Sequence, residues 1–186
     1  MIHSASSVYM IMVTILVSDC NDISQDFYDG LISSLELINL VCPCCHHGAC
    51  MSVHGYYYRQ VRDSIGDKHP LRVMRTKCSC CHHTSAILPS VLVPYSQIPL
   101  EDQNTVIDLQ EKNASSTEIA DAVPSLDENN VKSIIRRYVK HWLQRLLAES
   151  IPRHPLKELT CSCFQHYSRP FLQIHRTPNI LFLIPT

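Results

Sequence analysis

The sequence predicts an α+β fold, and three observations predict it. Two short cysteine-histidine clusters of the same pattern bracket a stretch rich in aromatic and β-branched residues. A β-branched apolar run precedes them. Behind them the hydrophobic spacing changes to a period of about 3.6, that of a helix with one buried face.

The 186 residues suffice for one ordinary domain or two small ones. Charged residues make up 18% and the net charge is −1, so no global basic character announces nucleic acid. The distribution says more. Residues 1–41 hold five acids and no Lys or Arg (−5), and residues 42–97 hold six basic and two acidic side chains (+4). Residues 98–150 hold six basic and nine acidic (−3), and residues 151–186 four basic and one acidic (+3). A basic middle segment in a neutral chain is compatible with a local phosphate-binding face.

Residues 1–41 are expected to form a β-α unit. Val8 to Val17 is β-branched and ends at Ser18-Asp19, the pattern of a buried strand. At ten residues it is too short to span a bilayer, which takes about 20. No Lys or Arg precedes it and no small-residue cleavage site follows, so a cytoplasmic protein with reduced thiols and no membrane partner is expected. Asp22 and Gln25 have the spacing of a capping box, and Ile23, Phe27, Leu31, Leu35 and Ile38 follow at helical spacing, with Gly30 a weak point.

Residues 42–97 carry the chemistry. The first cluster is Cys42-Pro43-Cys44-Cys45-His46-His47 and the second, thirty-six positions on, is Cys78-Ser79-Cys80-Cys81-His82-His83. Each contains a C-x-x-C step, and two such steps offer four thiolates to a tetrahedral Zn2+ with bonds of about 2.3 Å. Cys42, Cys45, Cys78 and Cys81 are the expected ligands; Cys44, Cys80, His46, His47, His82 and His83 leave a shifted register open. Adjacent Cys44-Cys45 and Cys80-Cys81 make a disulfide framework awkward, and no apolar helical stripe follows Cys45 as a thioredoxin-type motif requires. Between the clusters, Val53 to Val61 and Leu71 to Lys77 read as two strands of a hairpin, with the turn at Asp63 to Asp67. Two knuckles on one hairpin make a small zinc ribbon. Pro89, Pro94 and Pro99 mark an extended linker after it.

Residues 98–150 predict three helices: Leu100 to Lys112, a short one capped by Ser115 with Glu118, and a long one from Asp127 to near Glu149. Val131, Ile134, Ile135, Tyr138, Trp142, Leu143, Leu146 and Leu147 form an apolar stripe on the last. Lys132, Arg136 and Lys140 step along another face with Arg137 adjacent, and this order matches a trihelical helix-turn-helix. In the tail, 151–186, Cys161, Cys163 and His166 are a weak second metal set, and Ile180 to Ile184 has the composition of a strand.

Cys42-Pro43-Cys44-Cys45, His54-Gly55-Tyr56-Tyr57-Tyr58-Arg59, Arg75-Thr76-Lys77-Cys78-Ser79-Cys80-Cys81 and Leu88-Pro89 leading to Val93-Pro94-Tyr95 carry a resemblance. With them the chain resembles a bacterial family of unknown function found with mobile elements, similar to the zinc-binding front end of insertion-sequence transposases. The likeness is close over 42–97 and looser through about residue 148. It implies a zinc ribbon and a DNA-binding role near a transposase. Such knuckles usually carry Gly after the second Cys, where this chain has His46 and His82.

The expected function is therefore that of a zinc-dependent, double-stranded-DNA-binding protein of transposition, without catalysis of its own. Lys132, Arg136, Arg137 and Lys140 would meet DNA from the last helix, and Arg59, Arg72 and Arg75 from the hairpin. Tyr56, Tyr57 and Tyr58 either stack on bases or pack the hairpin. A separate transposase or recombinase subunit is a second expected partner; a small-molecule substrate is not. The other reading is a zinc-stabilised protein-interaction module or host transcription regulator. An enzyme is not expected, because strand transfer needs three carboxylates around two metal ions and no strand-borne acid pair lies near the basic face.

Overall fold

The computed structural model describes residues 11–17, 23–173 and 180–183. The architecture is mixed α+β, as the sequence predicts. Strand β1 (Ile11–Ile15) is followed by α1 (Gln25–Ser33) and a 3-10 turn at Leu37–Asn39. The hairpin is β2 (Met51–Arg62) and β3 (Lys68–Cys78), and β4 (Thr84–Pro89) follows. Helices α2 (Leu100–Glu111), α3 (Ser116–Ala122), α4 (Glu128–His141), α5 (Leu143–Ala148) and α6 (Leu156–Tyr167) then lead to β5 (Ile180–Leu183).

One five-stranded sheet, in the order β2-β3-β4-β1-β5, joins segments far apart in sequence. The hairpin is antiparallel and so is β3 with β4, whereas β1 runs parallel to both β4 and β5. Strand β4 is thus central to the sheet; it has no counterpart among the expected elements and overlaps the linker expected over Leu88 to Pro99 only at Leu88 and Pro89. Its residues Ala86, Ile87 and Leu88 are buried on both faces, which explains their continuous apolar run.

Strands β3 and β4 pair only from Arg75↔Ala86 to Lys77↔Thr84. Beyond that they part, and α1 supplies the missing partners. Tyr28 inserts its hydroxyl between them, donating to the Ile87 carbonyl at 2.9 Å and accepting from the Met74 amide at 3.0 Å. Gln25 meets β3 alone, two residues along: its Oε1 accepts from the Arg72 amide at 2.8 Å and its Nε2 donates to the Arg72 carbonyl at 3.3 Å. Gln25 therefore closes no capping box. Ser24 caps α1 instead, accepting from the Phe27 amide at 3.1 Å, and Asp22 lies outside the described residues. The helix also ends at Ser33, short of the stripe through Ile38 that its periodicity predicts. Ile38 is 60% exposed.

Helices α2, α3 and α4 contact one another pairwise around Val106, Ile107, Ile119, Val131 and Ile134. Asn113, at φ 65°, takes the left-handed position after α2, and Ser115 with Glu118 forms the expected capping box. The long last helix of the sequence reading is two helices. It breaks at Trp142 (φ −124°), whose indole is buried edge-on to Phe171 (5.3 Å) and Tyr167 (5.8 Å) from the tail. Helix α6, which carries Tyr167, has no counterpart among the expected elements.

Candidate metal centre

The hairpin register makes the site. Met51 at the start of β2 pairs with Cys78 at the end of β3, and the Ser79 amide extends the pairing to the Cys50 carbonyl at 2.8 Å. The turn before β2 and the turn after β3 are thereby held side by side, although thirty-six residues separate them in sequence.

Both turns fold identically. In the first, the His46 amide donates to the Cys42 carbonyl (2.9 Å) and the Cys42 amide to the His47 carbonyl (2.9 Å). In the second, His82 donates to Cys78 and Cys78 to His83, each at 3.0 Å. Turn amides also point at sulfur: Cys44 N to Cys42 Sγ at 3.4 Å, Cys80 N to Cys78 Sγ at 3.3 Å and Cys81 N to Cys78 Sγ at 3.4 Å. His46 and His82 stand at φ 59° and 61°, the left-handed position in which a glycine is usual. Histidine is among the side chains that tolerate it, at about 1 kcal/mol or more. The departure from the usual knuckle is thus a conformational substitution.

The sulfurs of Cys42, Cys45, Cys78 and Cys81 all lie within 4.8 Å of one another. Cys42 Sγ is 3.6 Å from Cys81 Sγ, and Cys45 Sγ is 3.6 Å from Cys78 Sγ. A tetrahedron of sulfurs bonded at about 2.3 Å has edges of about 3.8 Å, so the four fit a four-coordinate metal ion. Two overlapping three-residue groups also lie close enough to share an ion: Cys44, Cys81 and His83, and Cys50, Cys78 and Cys80.

Charge in this cluster is unevenly held. Burial opposes ionisation of Cys78, yet the Cys81 and Cys80 amides directed at its sulfur help bring it down to about 5. The His47 amide holds Cys45 below the usual thiol range. Burial pushes Cys42 and Cys81 up, and Cys50 up to about 12. Four adjacent thiols cannot all ionise alone; a bound cation inverts that balance and deprotonates its ligands. Cys50, whose Sγ lies 3.3 Å from Cys78 Sγ and 3.1 Å from the His47 carbonyl, packs beneath the site as a thiol. Sequence spacing gives it no role, and only the hairpin register brings it there.

The basic residues singled out from sequence separate into two groups. Lys132, Arg136 and Lys140 are exposed on α4, with Lys132 3.0 Å from Glu128. Arg137 turns inward, where its guanidinium donates to Gln103 Oε1 at 3.2 Å and burial lowers its pKa. Arg59 donates to the Ser96 carbonyl and to the Val93 carbonyl at 3.4 Å, so it binds the chain after β4. Arg75 donates to Thr84 Oγ1 at 3.0 Å. Arg72 stacks over the Tyr56 ring at 4.8 Å and faces Asp29 at 3.6 Å. Tyr56 and Tyr58 are exposed while Tyr57 is half-buried.

Cys161, Cys163 and His166 do not gather. Cys163 is fully buried in the helical core, which pushes its thiol up to about 12, and His166 Nδ1 is 3.2 Å from Glu149. Among the described residues no helix is long and apolar enough to cross a membrane.

No curated protein and no solved structure matches the chain. A family model described as a domain of unknown function, DUF6431, matches residues 42–138, more than half of the chain. The match begins at the first knuckle cysteine and ends within α4, so it takes in both knuckles, the hairpin, α2, α3 and most of α4. On that match, the chain belongs to the DUF6431 family.

Proposed function

We propose that this protein is a zinc-dependent, non-enzymatic DNA-binding protein in which Cys42, Cys45, Cys78 and Cys81 hold Zn2+ and α2, α3 and α4 act as a helix-turn-helix. The observation that carries the DNA reading is the outer face of α4. Asn129, Lys132, Ser133, Arg136 and Lys140 are all exposed there, at spacings of three and four residues, and Glu128, paired with Lys132 at 3.0 Å, is the carboxylate beside them at the amino end. A helix so lined can enter a major groove, with its cations on phosphates or guanine edges. Zinc's part is to hold the open end of the hairpin, whose core of Leu40, Cys42, Cys50, Met51 and Cys78 is too small to stand without it. Service to a transposase, the setting that the sequence resemblance implies, is proposed on that resemblance alone.

Titrating double-stranded DNA against the chain at several salt concentrations tests this. Affinity should fall steeply with salt as several phosphates are neutralised. Replacing Arg136 and Lys140 together by Ala should weaken binding about tenfold or more, and leave stability within about 0.5 kcal/mol. Arg137→Ala should instead destabilise the fold. A flat salt dependence rejects the DNA reading and favours a protein-interaction module. That second reading has its own observation: β2 is an edge strand of twelve residues, with Val53, Tyr56 and Tyr58 exposed along it.

A further inference from the structure

The geometry points to a second metal ion beside the first, held by Cys44, His83 and a bridging Cys81 thiolate, with its remaining coordination position open to solvent. This inference rests on the four-sulfur centre and goes beyond it. Cys44 Sγ lies 3.4 Å from His83 Nδ1. A sulfur and an imidazole nitrogen on one tetrahedral zinc, bonded at about 2.3 and 2.0 Å, stand about 3.5 Å apart. All three donor atoms lie within 4.8 Å of one another, and Cys81 belongs to both groups. Cys44 comes from the first knuckle and His83 from the second, so the same hairpin register that closes the four-sulfur centre creates this pair.

Electrostatics favours the arrangement. Four thiolates around one divalent cation leave a formal excess of about two negative charges, and a thiolate bound to one ion keeps lone pairs for another. The other overlapping group lacks these properties. Cys50 is buried, and its thiol is directed at the His47 carbonyl. Cys44 is half-buried and His83 exposed, so three protein ligands with an open position describe an exchangeable site for a soft ion such as zinc. The competing role for His83 is simply to donate its Nδ1–H to the Cys44 sulfur.

Zinc itself is the probe. The metal-free chain, prepared under reducing conditions, is titrated with Zn2+ against a chromophoric chelator. The expected result is one tight equivalent followed by a second, weaker one. Cys44→Ser and His83→Ala should each abolish the second or weaken it about tenfold or more, while retaining the first, which also reports that the variants fold. Cys80→Ser should keep both. Saturation of the unaltered chain at one equivalent overturns the second ion alone. So does a second equivalent that survives both substitutions, or one lost in Cys80→Ser instead. A chain that takes up no zinc overturns the four-sulfur centre, and this inference with it.

Discussion

The hydroxyl of Tyr28 sits where β3 and β4 part, and it meets one buried amide and one buried carbonyl that would otherwise lack partners. Burial also raises its phenol pKa well above the ordinary value, so it stays a neutral donor. Tyr28→Phe keeps the ring and removes both bonds, leaving the Met74 amide and Ile87 carbonyl unpaired. A loss of about 1–3 kcal/mol is expected. Urea unfolding checks it, with the midpoint lowered and the slope unchanged. Arg59 and Arg137 teach a related lesson: an arginine in a basic segment reads as a phosphate contact, yet here both hold backbone or amide groups inside the fold.

At the scale of the element, the amino end of α4 depends on Asp127, whose carboxylate accepts from the Asn130 amide at 2.8 Å. That hydrogen bond, first among its causes, holds the carboxyl below its usual pKa. A carboxylate lowered in the folded state contributes stability that is fully present above its unfolded pKa, about 3.9, and is lost as pH falls through the folded value. Asp127→Asn keeps a capping acceptor but cannot ionise. The variant should therefore be the less stable protein at neutral pH and draw level with the unaltered chain in acid. Thermal unfolding across that range decides the matter, and a gap that persists in acid would exclude the charge as its source.

Across the whole molecule, two of the contacts between the hairpin and the helical part bear on stability. The first is the hairpin tip. A Cβ added to Gly66, at φ 94°, would stand 3.0 Å from the Pro124 carbonyl oxygen. Arg62 nearby donates its guanidinium to the Ser125 carbonyl and its amide to Gln97 at 2.9 Å. The second is a polar chain in which Arg59 donates to the Ser96 carbonyl, the Ser96 hydroxyl accepts from the Gln103 side-chain amide at 3.2 Å, and Gln103 accepts in turn from Arg137. Gly66→Ala strains the backbone and presses the tip off the turn between α3 and α4. It should destabilise the chain by about 1–3 kcal/mol, read as a lowered thermal midpoint. An unchanged midpoint would show that the tip does not bear on the helices.

Local chemistry determined much of this. Two knuckles of one pattern, a hairpin between them, the capping box at Ser115 and the Asp127 cap are short-range matters of ligand spacing, turn residues and amide partners, and all were legible in the sequence. What lay beyond it was long-range. The apolar run within Thr84–Pro89 fits a buried strand, but its central place in the sheet depends on β1 and β3 at distant positions. At the break, the Trp142 indole packs against aromatic rings of the tail, and the inward Arg137 meets Gln103 on another helix. Sequence proposes a donor or a cation at each position; only the packing of remote segments decides which of them faces a metal, the solvent or the core.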